Sequence, residues 1–275
     1  MFGKFYIPHP ALQEFVLDIG TVDITLPEEI EQVTTPYPPT PHQSLMFYGD
    51  DRISTQKADW DHFELQPPVL IVGPQYTRVN ILVTRRLKVV RVDFRPGGLH
   101  RLLGIPMSVL FDDSFNAYDI FGPEMQLINE QLLNTADDEV RKSIVEGFLL
   151  AKRKQLKLSC PFDAAIRVLI QTGGNISMEQ LASLACLSPR QLDRKCMERI
   201  GMLPKVFARI VRFSKAYRLK EANLNLSWTA IAHEAGYFDQ THFIRDFKEF
   251  AGVTPRIIEK AILETPFQMQ ADLLV

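Results

Sequence analysis

Arg190, Gln191 and Arg194 sit close together in a segment that reads as helical, and about fifty residues later Gln240, Thr241, His242 and Arg245 do the same. These side-chain types share one chemistry. A guanidinium can donate to guanine O6 and N7, a glutamine amide can pair with adenine N6 and N7, and a threonine can meet a base edge or a thymine methyl. The chain offers little else that reacts: it contains no Ser-His-Asp spacing, no phosphate-binding glycine loop and no HExxH. His9, His42, His62 and His100 are far apart and no HxH stands beside a suitably spaced Glu, so no catalytic residues, no metal and no other cofactor are expected. Cys160, Cys186 and Cys196 form no CxxC pair, which points to free thiols in a reducing cytoplasm rather than to a disulfide framework or a zinc site.

The elements that must hold the two polar groups are related by an internal repeat. "SMEQLASLACLS-PRQLDRKCMERIGMLP" from Ser177 aligns with "SWTAIAHEAGYFDQTHFIRDFKEFAGVTP" from Ser227. Leu181 pairs with Ile231, Ala182 with Ala232, Ala185 with Ala235, Arg194 with Arg245 and Gly201 with Gly252. Each copy reads as a short helix, a tight turn and a second helix, which is the plan of a helix-turn-helix unit. The alanines keep the first helix thin enough for a close crossing, and Gly236 suits a turn position with positive φ, where the first copy carries Cys186. Ser188 and Asp239 are expected N-caps of the second helices, Pro189 fits the first helical position, and Leu187 and Phe238 are expected to staple against Leu192 and Phe243. At 100° per residue, Leu192 and Cys196, like Phe243, Phe247 and Phe250, face inward. Arg190 and Arg194, and in the second copy Thr241, Arg245 and Lys248, lie almost opposite.

A helix of this width fits a major groove, and the N-terminal part of such a second helix is the part that meets base edges. The expected base readers are therefore Arg190, Gln191 and Arg194 in one groove segment, and Gln240, Thr241, His242 and Arg245 in another. Between the units, "KVFARIVRFSKAYRLK" carries Lys205, Arg209, Arg212, Lys215, Arg218 and Lys220 and no acidic residue. Arg209, Arg212 and Lys248 are the expected phosphate contacts, which position a protein without reading sequence.

The repeat, the long connecting helix and above all "IAHEAGYFDQTHFIRDFKEFAGVTP" resemble the DNA-binding domain of the AraC/XylS family of bacterial transcription regulators. Ile231, Ala232, Gly236, Tyr237, Thr241, Phe243, Arg245, Phe247, Lys248, Gly252, Thr254 and Pro255 meet the family pattern, whereas Cys186 and Cys196 stand where the first unit usually has a glycine and an aromatic. The upstream stretch "FRPGGLHRLLGIPMSVLFDDSFNAYDIFG" resembles part of the N-terminal domains of a poorly characterised subset of these regulators. The resemblance implies a cytoplasmic transcription factor that is not an enzyme, with double-stranded promoter DNA as its partner. RNA polymerase, a small-molecule effector and a second copy of the chain stand as further possible partners, and a membrane does not.

Composition fits that division of labour. The 275 residues are 46% hydrophobic and 23% charged, as in a globular protein, and the net charge of −2 hides an asymmetry. Residues 160–262 hold 15 basic and 10 acidic side chains, whereas residues 1–159 hold 16 basic and 21 acidic ones. In the front half "SLMFYG", "VLIVG", "RVNILV" and "LKVVRVDF" read as strands, bounded by turn clusters such as "TTPYPPTP" and "RPGG", and helical periodicity begins after Gly98. The helical pattern at Val140–Leu150 serves either a dimer interface or packing on its own sheet. His100, beside Arg95 and Arg101, is either structural or an anion site.

The expected fold is α+β. A β-rich, loosely cupin-like sensory or dimerisation domain over 1–155 precedes an all-α domain of seven helices over 160–262, with helix-turn-helix units at about 177–201 and 227–252. Two other classes remain open: a β-rich small-molecule enzyme, or a ligand-free interaction module, joined to the same DNA-binding domain.

Overall fold

The computed structural model describes residues 3–49, 51–267 and 269–271. Among the described residues the front half holds ten strands: β1 (Gly3–Tyr6), β2 (Val16–Thr25), β3 (Gln32–Tyr37), β4 (Gln43–Phe47), β5 (Ser54–Lys57), β6 (Glu64–Leu65), β7 (Val69–Val72), β8 (Val79–Thr84), β9 (Arg86–Phe94) and β10 (Ser114–Asn116). They form two antiparallel sheets, one ordered β1-β2-β9-β4-β7-β10 and the other β3-β8-β5-β6. The side-chain period of two divides the larger sheet cleanly. Val90, Val92 and Phe94 of β9 pack outward, with Leu45, Phe47, Val69 and Ile71, against the helices that follow. Leu87 and Val89 point the other way, with Tyr48 and Leu70, toward Ile81 and Val83 of the smaller sheet. Burial on both faces explains why "LKVVRVDF" carries apolar residues on both of its sides, Val90, Val92 and Phe94 on one and Leu87 and Val89 on the other.

Four helices cover the outer face: α1 (Gly98–Leu103), α2 (Ala117–Phe121), α3 (Pro123–Leu133) and α4 (Asp138–Lys152). Of the two readings of Val140–Leu150, packing on the sheet is what the structure displays. Val145, Phe148 and Leu149 of α4 are buried in that core, and Val140 is exposed. His100 is structural: it is buried in α1, and its Nδ1 lies 2.8 Å from the Ile105 carbonyl.

Seven further helices follow: α5 (Pro161–Gln171), α6 (Met178–Leu184), α7 (Pro189–Arg199), α8 (Pro204–Ala222), α9 (Trp228–Glu234), α10 (Gln240–Ala251) and α11 (Pro255–Glu264). No described helix is long and apolar enough to cross a membrane. One core joins all seven, centred on Phe207, Phe213, Tyr217, Phe243, Phe247 and Phe250. Past α11 the chain returns to the front domain. Phe267 is buried between the two sheets, and Gln270 donates through Nε2 to the Pro38 carbonyl at 2.8 Å and through its backbone N to Glu221 Oε2 at 2.7 Å.

Candidate nucleic-acid interface

The two halves of the repeat fold alike because the same local signals act in each. Ser177 and Ser227 cap α6 and α9, their hydroxyls accepting from the backbone N of Gln180 at 3.1 Å and of Ala230 at 3.2 Å. Ala182, Ala185, Ala232 and Ala235 are all buried at the crossings. The turn between helices passes through a left-handed residue in both copies, Cys186 at φ 54° and Gly236 at φ 85°. A Cβ on Gly236 would also stand 2.3 Å from the Asn175 side chain, so a larger residue there would have to displace that amide as well as hold a left-handed backbone.

The second helices begin at the expected caps. Ser188 Oγ accepts from the Gln191 backbone N at 3.4 Å while Gln191 Oε1 accepts from the Ser188 backbone N at 2.9 Å, a closed capping box. Asp239 Oδ1 accepts from the His242 backbone N at 2.8 Å, and the His242 ring Nδ1 lies 2.8 Å from Asp239 Oδ2. That backbone bond is the chief reason the Asp239 carboxyl is held below its usual range. Leu187 packs on the core, as a staple should. Phe238 does not: at 96% exposure its ring touches no staple partner, and the expected pairing with Phe243 is corrected. Phe243 is packed instead by Tyr237, Phe247 and Trp228, with centroids at 5.2, 5.4 and 5.8 Å.

All seven expected base readers are exposed: Arg190, Gln191, Arg194, Gln240, Thr241, His242 and Arg245. Two of them are engaged at home, Gln191 in its capping box and His242 on its cap carboxylate. Arg190 and Arg194, with Thr241 and Arg245, remain as the matched outward pairs. They sit on the sides of α7 and α10 opposite the buried Leu192, Cys196, Phe243 and Phe247.

The expected phosphate contacts fare differently. Lys248 is exposed on α10. Arg209 is turned inward: Nε and Nη2 donate to Asp246 Oδ1 at 3.1 and 2.8 Å, and Nη1 donates to Glu249 Oε1 at 3.1 Å. Those bonds, that to Glu249 first, raise the guanidinium pKa above its ordinary value. Arg212 donates to the Gly174 carbonyl at 3.0 Å and stacks 5.4 Å over the Tyr237 ring. The cause is the position of α8, which runs through the middle of the domain and has core on several sides. A long basic side chain on such a helix is drawn to the carboxylates and helix-end carbonyls of its neighbours. Lys220, 2% exposed, donates to the carbonyls of Leu224 and Leu226 and pairs with Glu259. Among the six basic residues of α8, Lys205 is the one fully exposed.

A second set of contacts, which the sequence did not announce, ties the front domain to both outward-facing helices. α7 packs on α1 and on the 3-10 turn Met107–Leu110. Gly201, just beyond α7, comes so close that a Cβ there would stand 2.7 Å from Pro74 and 3.0 Å from the Met107 carbonyl. On α10, Tyr76 donates its hydroxyl to Glu249 Oε1 at 2.5 Å, and its ring meets Phe250 edge-on at 5.5 Å. Burial, then the bond to Glu249, pushes the Tyr76 phenol up to about 12, so it stays a donor at any ordinary pH. Tyr76 lies in the loop between β7 and β8, and a lone tyrosine there has no periodicity that would reveal its partner.

Both parts of the chain are similar to known proteins. A helix-turn-helix domain family matches residues 181–261, and a domain of unknown function, DUF6597, matches residues 4–116. An uncharacterized HTH-type transcriptional regulator of Haemophilus influenzae is 30% identical over 137 residues, 50% of this chain and 44% of that protein. The match thus spans less than half of that relative's length. Among solved structures, the apo form of a ToxT variant from Vibrio cholerae covers 89% of this chain and 97% of its own at 13% identity, with a TM-score of 0.50. Wild-type ToxT with unsaturated fatty acid bound covers 96% and 100% at 13% identity, with a TM-score of 0.49. At 13% identity the likeness to the first of these is one of fold alone.

Proposed function

We propose, from the helix-turn-helix domain family matched over residues 181–261 and the AraC/XylS-like pattern of Ile231–Pro255, that the protein is a DNA-binding transcription regulator reading two successive major-groove segments. α7 enters one segment with Arg190 and Arg194, and α10 enters the next with Thr241 and Arg245. Gln240 adds a reader at the start of α10. Gln191 and His242 join only by leaving their caps, so their first role is to hold the helix ends. The observation that carries the reading is the matched pair of exposed polar faces on two helices built by one repeated design. α8 is the rigid spacer, and successive groove segments on one face of a duplex lie about 34 Å apart.

Lys248 and Lys205 supply phosphate contacts, while Arg209 and Arg212 act as internal struts. Regulation passes through the front domain, which grips α7 beside Gly201 and α10 through Tyr76. Any input that moves those grips changes the distance or tilt between the two readers. The test is selection of binding sites from a random duplex pool by the full chain, followed by a salt titration. Two conserved blocks about 10 base pairs apart, with affinity falling steeply as salt rises, are expected. A single block, or affinity indifferent to sequence, would overturn the reading.

A further inference from the structure

Between the two sheets lies a cavity that DNA reading does not use. Its volume is about 140 Å³, and Val22, Ile24, Met46, Leu70, Ile81 and Val89 give it apolar walls. Arg91 of β9 enters it from the larger sheet and is only 6% exposed. Its guanidinium lies 5.3 Å from the Phe5 ring centroid. Nη2 is ion-paired with Asp93 Oδ2 at 3.0 Å and lies 3.8 Å from Asp18 Oδ1, whereas Nε is buried with no hydrogen-bond partner among the described residues. A buried donor without an acceptor is destabilising, so the cavity favours an occupant that supplies one.

Charge decides which acceptor. Asp18 and Asp93 are directly opposite in the β2–β9 register, both are buried, and Ser44 Oγ donates to Asp93 Oδ1 at 2.6 Å. Two carboxylates therefore share one guanidinium. Burial, then repulsion from Asp93, pushes the Asp18 carboxyl up to about 7, so the site resists even its own second negative charge. A carboxylate ligand would add another in a setting of low dielectric, whereas a ketone, ester or amide carbonyl takes the same donors without that repulsion. The walls suit an alkyl or aromatic body.

The rim leads to the DNA-reading half. Asp112 lines the cavity, and its Oδ1 accepts from the backbone N of Tyr76 at 2.8 Å and of Thr77 at 2.9 Å. Met269, beyond α11, forms part of the opposite wall.

We propose that this cavity binds an uncharged amphipathic molecule, with a carbonyl accepting from Arg91 and an apolar body against the sheet walls, and discriminates against carboxylates of the same length. Its role as input to the regulator rests on the DNA-binding reading above; its existence as a ligand site does not. The full chain is titrated calorimetrically at pH 8, without DNA, with decanamide, 2-decanone and decanoate. Saturable binding of a neutral probe, at least about tenfold tighter than decanoate, is expected.

Arg91→Leu should erase that preference, but it strips Asp93 of its cation and endangers the fold. Met46→Trp is therefore the companion variant: it fills the cavity from its wall and should abolish binding while the circular dichroism spectrum stays native. Equal or tighter binding of decanoate, unchanged binding by Met46→Trp, or no binding of any of the three probes would overturn the proposal. The DNA-binding reading fails by a separate route, in site selection with no ligand present.

Discussion

At the scale of single residues, identical side chains have opposite fates, and their surroundings determine which. Arg194 and Arg245 are exposed on the outer faces of their helices, whereas Arg209 sits among Asp246, Glu249 and the Phe250 ring. The two kinds should separate on mutation. Arg194→Ala and Arg245→Ala should each lose about 1–3 kcal/mol of sequence-specific binding in gel-shift titrations, with the melting temperature unchanged. Arg209→Ala leaves the buried Asp246 without its cation and should lower stability by about 3 kcal/mol in urea unfolding. A stable Arg209→Ala protein that bound all DNA uniformly more weakly would return Arg209 to the phosphate contacts. The sequence displayed both arginine types equally well. It could not display which way each turned, because that depends on carboxylates about forty positions away in the chain.

At the scale of elements, the repeat was readable and its deviations were informative. The caps at Ser188 and Asp239, the buried alanines and the phenylalanine face of α10 all follow from local spacing, and the structure has them where that spacing requires. Cys186 holds the left-handed turn position that Gly236 holds in the second unit. A side chain there strains the backbone by about 1 kcal/mol, partly offset by the extra freedom glycine gives the unfolded chain. Cys186→Gly should therefore stabilise by up to about 1 kcal/mol in chemical denaturation; a clear loss would mean that the thiol makes a contact worth more than the strain. Strands were less legible. "SLMFYG" and "LKVVRVDF" declare β4 and β9, but β3 contains Pro36 and falls in the turn-like "TTPYPPTP", and β2 is interrupted by Asp18 and Asp23. Asp18 is buried against Arg91 and Asp93, a tertiary arrangement that polarity along the chain conceals.

At the scale of the whole molecule, the front domain holds both outward-facing helices near their far ends, and the segment after α11 packs back between its sheets. None of these contacts joins residues close in sequence, so no periodicity foreshadowed them. The grip predicts coupled motion. Tyr76→Phe removes the hydroxyl bond to Glu249 and keeps the ring on Phe250. Amide exchange at the C-terminal end of α10 should then quicken while α5 and the sheets keep native protection; uniform quickening would indicate global loosening instead.

The claim on which the rest depends is that two helices read two groove segments, each through its own arginine. Guanine N7 methylation interference on a duplex selected by the full chain tests it most directly, because N7 lies in the major groove where a guanidinium would bind. Two clusters of interfering guanines about one helical turn apart are predicted, one lost in Arg194→Ala and the other in Arg245→Ala. A single cluster, or two clusters that both survive in each variant, would contradict it.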